Sequence, residues 1–348
     1  MNKSLQNKRL LAVVLFALTA VTVTARSWRI NNDVSMKADF VSINAAMSSS
    51  DVLAGDTLYM DPGCSLTETQ TVSKQVTIVG PGYLRTSAPH NFAYITGDLH
   101  LKAPFTKVEG MHLQGTIYVQ ASSCTIERCR ISNYTYIGHM STTAQYTTIR
   151  QSYITSYIGG CGSTSAYSSN ATIENCIMFS NTSYALIYNL MNPTIRNNYI
   201  KNTYTGTYSD YCCIENVSNA NISNNILIHK SSRISDIFSK VTNSIVTKNV
   251  MSAASNSTYP ENYFLNSDDE SLVFALEGTN DQKYQLKADS PAKGYATDGK
   301  DCGPYAGLYP YVIGGMPMGY PYYTKAVVGT KANEGKVNVS LNIKMQND

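Results

Sequence analysis

The chain has 348 residues, of which 43% are hydrophobic and only 15% charged. That excludes a disordered chain, which couples low hydrophobicity to high charge, and it excludes a long coiled coil. Lys and Arg outnumber Asp and Glu by 27 to 24, a surplus too small and too scattered for a nucleic-acid footprint.

The first segment reads as a secretory signal. Lys3, Lys8 and Arg9 form a positive start, and Leu10 to Val23 is apolar. Val23 and Ala25 sit at the −3 and −1 positions of a small-residue cleavage site. The apolar run is shorter than the roughly 20 residues needed to span a bilayer. The expectation is therefore cleavage after residue 25, no membrane span afterwards, and a mature chain in the periplasm or at the cell surface. The first cysteine is Cys64, too far on for lipid attachment at a new terminus. None of the eight cysteines forms a CxxC pair, so their spacing matches no zinc site. The repeat described next places several of them as buried free thiols.

Residues 124–131, 147–154, 171–178, 193–200, 220–227 and 244–251 align as one repeat. Ile126, Ile149, Ile173, Ile195, Ile222 and Val246 form its first apolar column, at spacings of 23, 24, 22, 27 and 24. Ile131, Ile154, Met178, Ile200, Leu227 and Met251 form a second column five positions on. Between them run Cys129, Ser152, Cys176, Asn198, Asn225 and Asn249. Two short strands joined by a tight bend explain this pattern. The bend residue points inward and bonds the rungs above and below. Asn suits that role because its amide donates and accepts and because it tolerates a left-handed backbone. A third apolar segment precedes most repeats, at Ile117–Val119, Ala185–Tyr188, Cys212–Ile214 and Ile237–Phe238. The prediction is a parallel β-solenoid of about eight three-stranded rungs, each unstable until its neighbours stack. A leucine-rich horseshoe lacks its LxxLxL signature here, and a β-sandwich would not hold this register through six copies.

The entry DFVSINAAMSSSDVLAGDTLYMDPGCSLTE (39–68), followed by QVTIVGPGYL (75–84), resembles that of the pectate-lyase-like right-handed β-helix superfamily. The tail at 289–323 resembles the exit of secreted β-helix proteins. The resemblance spans about residues 38–323 and implies an all-β, right-handed parallel β-helix. It also implies a short N-terminal helix, with Phe40, Ile43 and Met47 on one face, capping the open end. The expected organisation is a signal at 1–25, a cap at 26–70, rungs at 71–262, and a C-terminal cap and tail at 263–348. The Pro- and Gly-rich stretch between 303 and 321 is expected to cover the last rung. Residues 336–345 alternate strictly, as a half-buried strand does.

Function would lie on outward positions. Glu127, Arg150, Glu174 and Arg196 fall in one outward column and read as a structural charge ladder, each pair contributing roughly 0.2–1 kcal/mol. The 26 tyrosines against 8 Phe and 1 Trp stand out. Outward rings, among them Tyr134, Tyr153, Tyr157, Tyr199, Tyr204 and Tyr211, would suit sugar rings, and His229 lies beside them. One neighbourhood gathers charge. Asp210, Glu215 and Asp236 share one side and are candidate calcium ligands, with Lys230 or Arg233 as a base. The superfamily's uronan lyases need such a set: a neutralised substrate carboxylate, a base for the C5 proton and a donor to the leaving oxygen. No lyase motif is matched residue for residue, and the polygalacturonase set of aspartates is missing. The reading is a secreted monomer that contacts polysaccharide through an exposed solenoid face. The alternative is a polysaccharide lyase acting in a groove near residues 210–240.

Overall fold

The computed structural model describes residues 25–83, 92–139, 142–160, 168–204, 211–278, 280–316, 321–328 and 339–345. Residues 1–24, where a secretory signal is expected, Asp210 and Cys161 lie outside them. Three parallel sheets of ten strands each wind into a right-handed β-helix, and a separate two-stranded sheet pairs Pro321–Val328 with Val339–Met345. No helix among the described residues is long and apolar enough to cross a membrane.

The two apolar columns are the inner positions of the first two sheets. Ile126, Ile149, Ile173, Ile195, Ile222 and Val246 pair rung to rung in the first sheet. Ile131, Ile154, Met178, Ile200, Leu227 and Met251 do so in the second, all with no exposed surface. The third-sheet strands start later than expected, at Ile187–Met191, Ile214–Ser218 and Phe238–Thr242. The first sheet already includes Ser27–Ile30 and Thr57–Met60, so coiling starts inside the segment expected to be a cap. Helix α1 (Ile43–Ser48) follows. Ser42 Oγ accepts from the Ala45 N–H at its start, and Ile43, Ala46 and Met47 are buried. Phe40 lies before the helix, in an isolated bridge to Ile30, and not on its face.

The bend between the first and second sheets carries the fold. Its inner residues form the expected ladder. Asn225 Oδ1 accepts from both the backbone N–H (2.9 Å) and the side-chain amide (3.0 Å) of Asn198. Asn249 Oδ1 does the same for Asn225 (3.0 and 2.9 Å), and Asn262 extends the ladder by one more rung. The left-handed conformation belongs, however, to the residue before each ladder residue. Arg128, Gln151, Asn175, Asn197, Asn224 and Lys248 have φ between 51° and 62°. That residue turns the chain through the corner, and the next side chain then points into the core.

Tyr263–Phe264 still pairs with Val250–Met251 as the last strand of the second sheet, but residues 265–316 do not stay at that end. They run back along the outside of the coil as a strap. Thr297 meets Asn224, Pro304 meets Asn175, Pro310 meets Gln151, and Gly314 reaches Tyr83. The strap closes a second apolar core over the second sheet, containing Tyr83, Tyr153, Ile177, Tyr199, Ile226 and Phe274. Gly315 has φ +63°, and a Cβ there would stand 2.3 Å from the Arg128 carbonyl oxygen and 2.2 Å from the Tyr83 ring, so only glycine fits. Asp281, wholly buried, accepts from the Gly314 N–H at 2.7 Å and anchors the strap's far end.

The seven described cysteines are free and buried, and burial pushes the Cys129, Cys176 and Cys302 thiols up to about 12. In the outward charge ladder, burial alone would raise the Glu127 carboxyl. Lys107, Arg128 and Arg150, each within 2.8 Å, instead hold it down to about 2.

Two stability effects follow. Asn225→Ala removes the acceptor for two buried donors of Asn198, and unfolding in urea is expected to show a loss of about 2–4 kcal/mol. Glu127→Gln leaves three cations facing an uncharged group and should cost about 3 kcal/mol at neutral pH. The folded carboxyl titrates below its unfolded value of 4.5, so its contribution is complete above that pH and disappears as pH falls towards 2. The difference between Glu127→Gln and the parent should therefore shrink across that window.

Candidate functional site

The neighbourhood at 211–240 is built where the second sheet turns into the third. Arg233 Nε donates to Asp236 Oδ2 at 2.9 Å, and its NH2 donates to the Tyr211 hydroxyl at 3.3 Å. Glu215 accepts from Lys240 Nζ at 2.8 Å. Asp236 and Glu215 thus each hold a cation of the protein itself. Among the described residues no three His, Cys, Asp or Glu side chains come together as a metal site. Arg233, as a candidate base, is committed to Asp236. Lys230 is exposed.

Tyr153, Tyr157, Tyr199 and His229, four of the seven candidate sugar-contacting residues, are buried. Tyr153 and Tyr199 point outward from the second sheet but lie under the strap, 7% and 0% exposed. The Tyr199 hydroxyl donates to Glu270 of the strap, and its ring meets Phe274 and Tyr284 at 4.7 and 4.8 Å. His229 is 1% exposed. Its Nδ1 accepts from the Ser231 N–H at 3.0 Å, its Nε2 has no partner among the described residues, and Tyr211 stacks on the ring. Burial pushes its pKa down against the pull of Asp236. Tyr134, Tyr204 and Tyr211 keep a partly exposed surface.

Beside this edge, strap and second sheet leave a groove of about 450 Å³ lined by Lys201, Lys283, Glu270, Asn181 and Thr203 among others. Lys201 Nζ is bonded to Glu270, which also holds Tyr199. Lys283 lies over the Tyr284 ring at 5.0 Å. The groove was not foreseen, because its strap wall comes from a segment expected at the far end of the coil.

The third sheet keeps its outward positions half-exposed. His100, Tyr118 and Tyr136 pair in register on successive rungs. Their rings stack at 4.7 and 5.7 Å with planes 20° and 23° apart. Tyr157 continues the row, stacked on Tyr134 at 4.1 Å and edge-on to Tyr188 at 5.3 Å, and Tyr184 is 57% exposed beside it. Gly159 occupies the paired outward position on the intervening rung, where a Cβ would stand 2.4 Å from the Tyr188 ring. Rings stacked along the axis use their faces on one another. They leave edges and polar ends to solvent, not the open faces expected for sugar stacking.

Residues 94–269 match the family model described as right handed beta helix region. The chain belongs to this right-handed beta helix family. Among solved structures it is similar to the pectate lyase Pel9A, at 14% identity and a TM-score of 0.53, over 83% of this chain and 97% of that one. The PL6 family polysaccharide lyase Pedsa3628 from Pseudopedobacter saltans aligns at 11% identity over 83% of this chain and 98% of that one, with a TM-score of 0.28. At 14% identity the likeness to Pel9A shows the fold alone. No curated protein matches in sequence.

One signal for the buried tyrosines was available. Within this beta helix repeat, Tyr153, Ile177, Tyr199, Ile226 and Val250 each stand directly before the second apolar column. Such apolar doublets mark a strand covered on both faces.

The buried histidines give a pH effect. Burial and Arg130 push His112 down to about 4, and His229 is also lowered. Both are neutral in the fold and charge more readily when unfolded. Stability is therefore complete above about pH 6.5, their ordinary value, and falls as pH drops towards 4. His229→Gln should lose less stability than the parent across that interval in pH-dependent melting. Parallel curves for the two proteins would mean that folding does not shift the His229 pKa.

Proposed function

We propose that this protein is secreted and binds polysaccharide along the outer face of its third sheet. The observation that carries this reading is the aromatic row from His100 through Tyr118 and Tyr136 to Tyr157 and Tyr188. The first sheet's outer face is occupied by the charge ladder from Lys107 to Arg196, and the second sheet's by the strap. The third offers a track on which His100, Tyr118, Tyr136 and Tyr188 present ring edges with polar groups, rigid and of low entropic cost to order. An extended polymer lying along the axis meets similar groups rung after rung, so many weak contacts add up. The fold neighbour Pel9A is titled a pectate lyase, which is consistent with a polysaccharide ligand. The protein works as a monomer in this reading, and no nucleic acid is involved.

Lysis of an acidic glycan is the second reading. What favours it is the groove whose lining brings together Lys283 and Lys201, the latter bonded to Glu270. Lys230 or Lys283 would serve as base, and calcium would require Asp210 to join Glu215 and Asp236.

Affinity electrophoresis through gels containing a panel of plant and microbial polysaccharides tests the first reading. At least one polymer should retard the parent, and Tyr118→Ala combined with Tyr136→Ala should lose most of that retardation while melting normally. Retardation untouched by the pair would remove the third sheet from the site. Appearance of the ultraviolet-absorbing unsaturated uronyl product from any polymer would move the reading to lysis.

A further inference from the structure

Four left-handed corner residues carry side-chain amides that face the strap, and three of them are engaged. Gln151 donates to the Pro310 carbonyl at 2.6 Å and Asn175 to the Pro304 carbonyl at 2.9 Å. Asn224 donates to Thr297 Oγ1 at 3.1 Å and accepts from the Thr297 N–H at 2.9 Å. The fourth, Asn197, is 5% exposed, and its Nδ2 has no partner among the described residues. The strap passes directly over it at Gly307, where a Cβ would lie 3.0 Å from Asn197 Cγ, yet supplies no acceptor. An unmade bond at a buried amide costs about 1–3 kcal/mol. The same residue lines a groove of about 480 Å³ between the first sheet and the strap.

The rest of that groove has a definite chemistry. Its floor is short and neutral, with Asn221 and Ser223 on one rung and Thr247 on the next. Arg196, at its edge, is compensated by Glu174 at 2.7 Å. Its two aliphatic members are Ile245 from the last strand of the sheet and Leu308 from the strap, 65% and 75% exposed. Exposed aliphatic groups beside a hydroxyl- and amide-lined floor fit a ring with apolar C–H faces and a hydroxyl-bearing rim. They do not fit a phosphate or carboxylate, which would meet Asp298 at the margin and no uncompensated cation.

We infer that this groove binds a neutral pyranose unit. The sugar's C–H faces rest on Ile245 and Leu308, and one of its oxygens accepts from Asn197 Nδ2. The nitrogen sits below the groove surface, so the bond forms as the strap eases outward at Gly307. This site is separate from the third-sheet track, and either can hold without the other.

Calorimetric titration of the full chain is the test. The probes are neutral β-1,4-linked pentasaccharides of glucose, xylose and mannose, with a galacturonate pentasaccharide for comparison. At least one neutral probe should bind. Ile245→Ser combined with Leu308→Ser, both at exposed positions, should weaken it about tenfold, and Asn197→Ala similarly, each about one hydrogen bond or one apolar contact's worth. The exposed pair keeps the test decisive if Asn197→Ala lowers stability. No binding of any neutral probe up to millimolar concentration overturns the inference. So does binding unaffected by the exposed pair, or tighter binding of the galacturonate probe that the exposed pair weakens.

Discussion

The corner between the first and second sheets is the constraint on which the rest depends. Each rung must turn sharply there, and an L residue can do so only by entering the left-handed region, at some cost in backbone energy. The cost is offset by what the turn achieves on both sides. Inside, it aims the next residue at the core, where Asn198, Asn225, Asn249 and Asn262 satisfy one another's donors without help from water. Outside, it lifts the corner amides of Gln151, Asn175 and Asn224 toward the strap. A single backbone conformation, repeated up the coil, therefore fixes both the core and the docking line of the strap.

That docking line gives the three faces different characters. The second sheet becomes a dry interface, and its outward Tyr153 and Tyr199 contribute to packing. The first sheet holds a network in which Glu127 meets three cations, two of them shared with Glu109, and then, beyond Arg196, becomes short and neutral along the groove under Leu308. The third sheet keeps His100, Tyr118 and Tyr136 half-exposed. The change in the first sheet coincides with the rungs at which Ser223 and Thr247 replace charged residues in the outward column.

The coil was legible because its cause is local and repeated. Six copies of an apolar pair around a small polar bend leave few folds to choose from, and the register of Ile126, Ile149 and Ile173 is the one the alignment implies. The early rungs were less legible because Leu58, Ile78 and Val108 fill the core without an Asn beside them. The site was legible only in part. Charge clustering near 211–240 was visible, but the pairing of Arg233 with Asp236 and of Lys240 with Glu215 depends on contacts between rungs. The course of residues 263–316 was hidden altogether, since nothing repeats in it. That one segment buries Tyr153 and Tyr199 and walls both grooves.

The backward path of the strap also orders the way the molecule is made. Rungs can add one after another, each closing a loop of some two dozen residues, and local growth of this kind is fast. Tyr311, by contrast, meets Tyr83 across 228 residues of chain. Its docking line on Gln151, Asn175 and Asn224 exists only once those corners have stacked. The strap is therefore the last element to settle. Until it does, a stripe of tyrosine, isoleucine and valine stands open along the whole second sheet, and the nascent coil is at its stickiest just before it is finished.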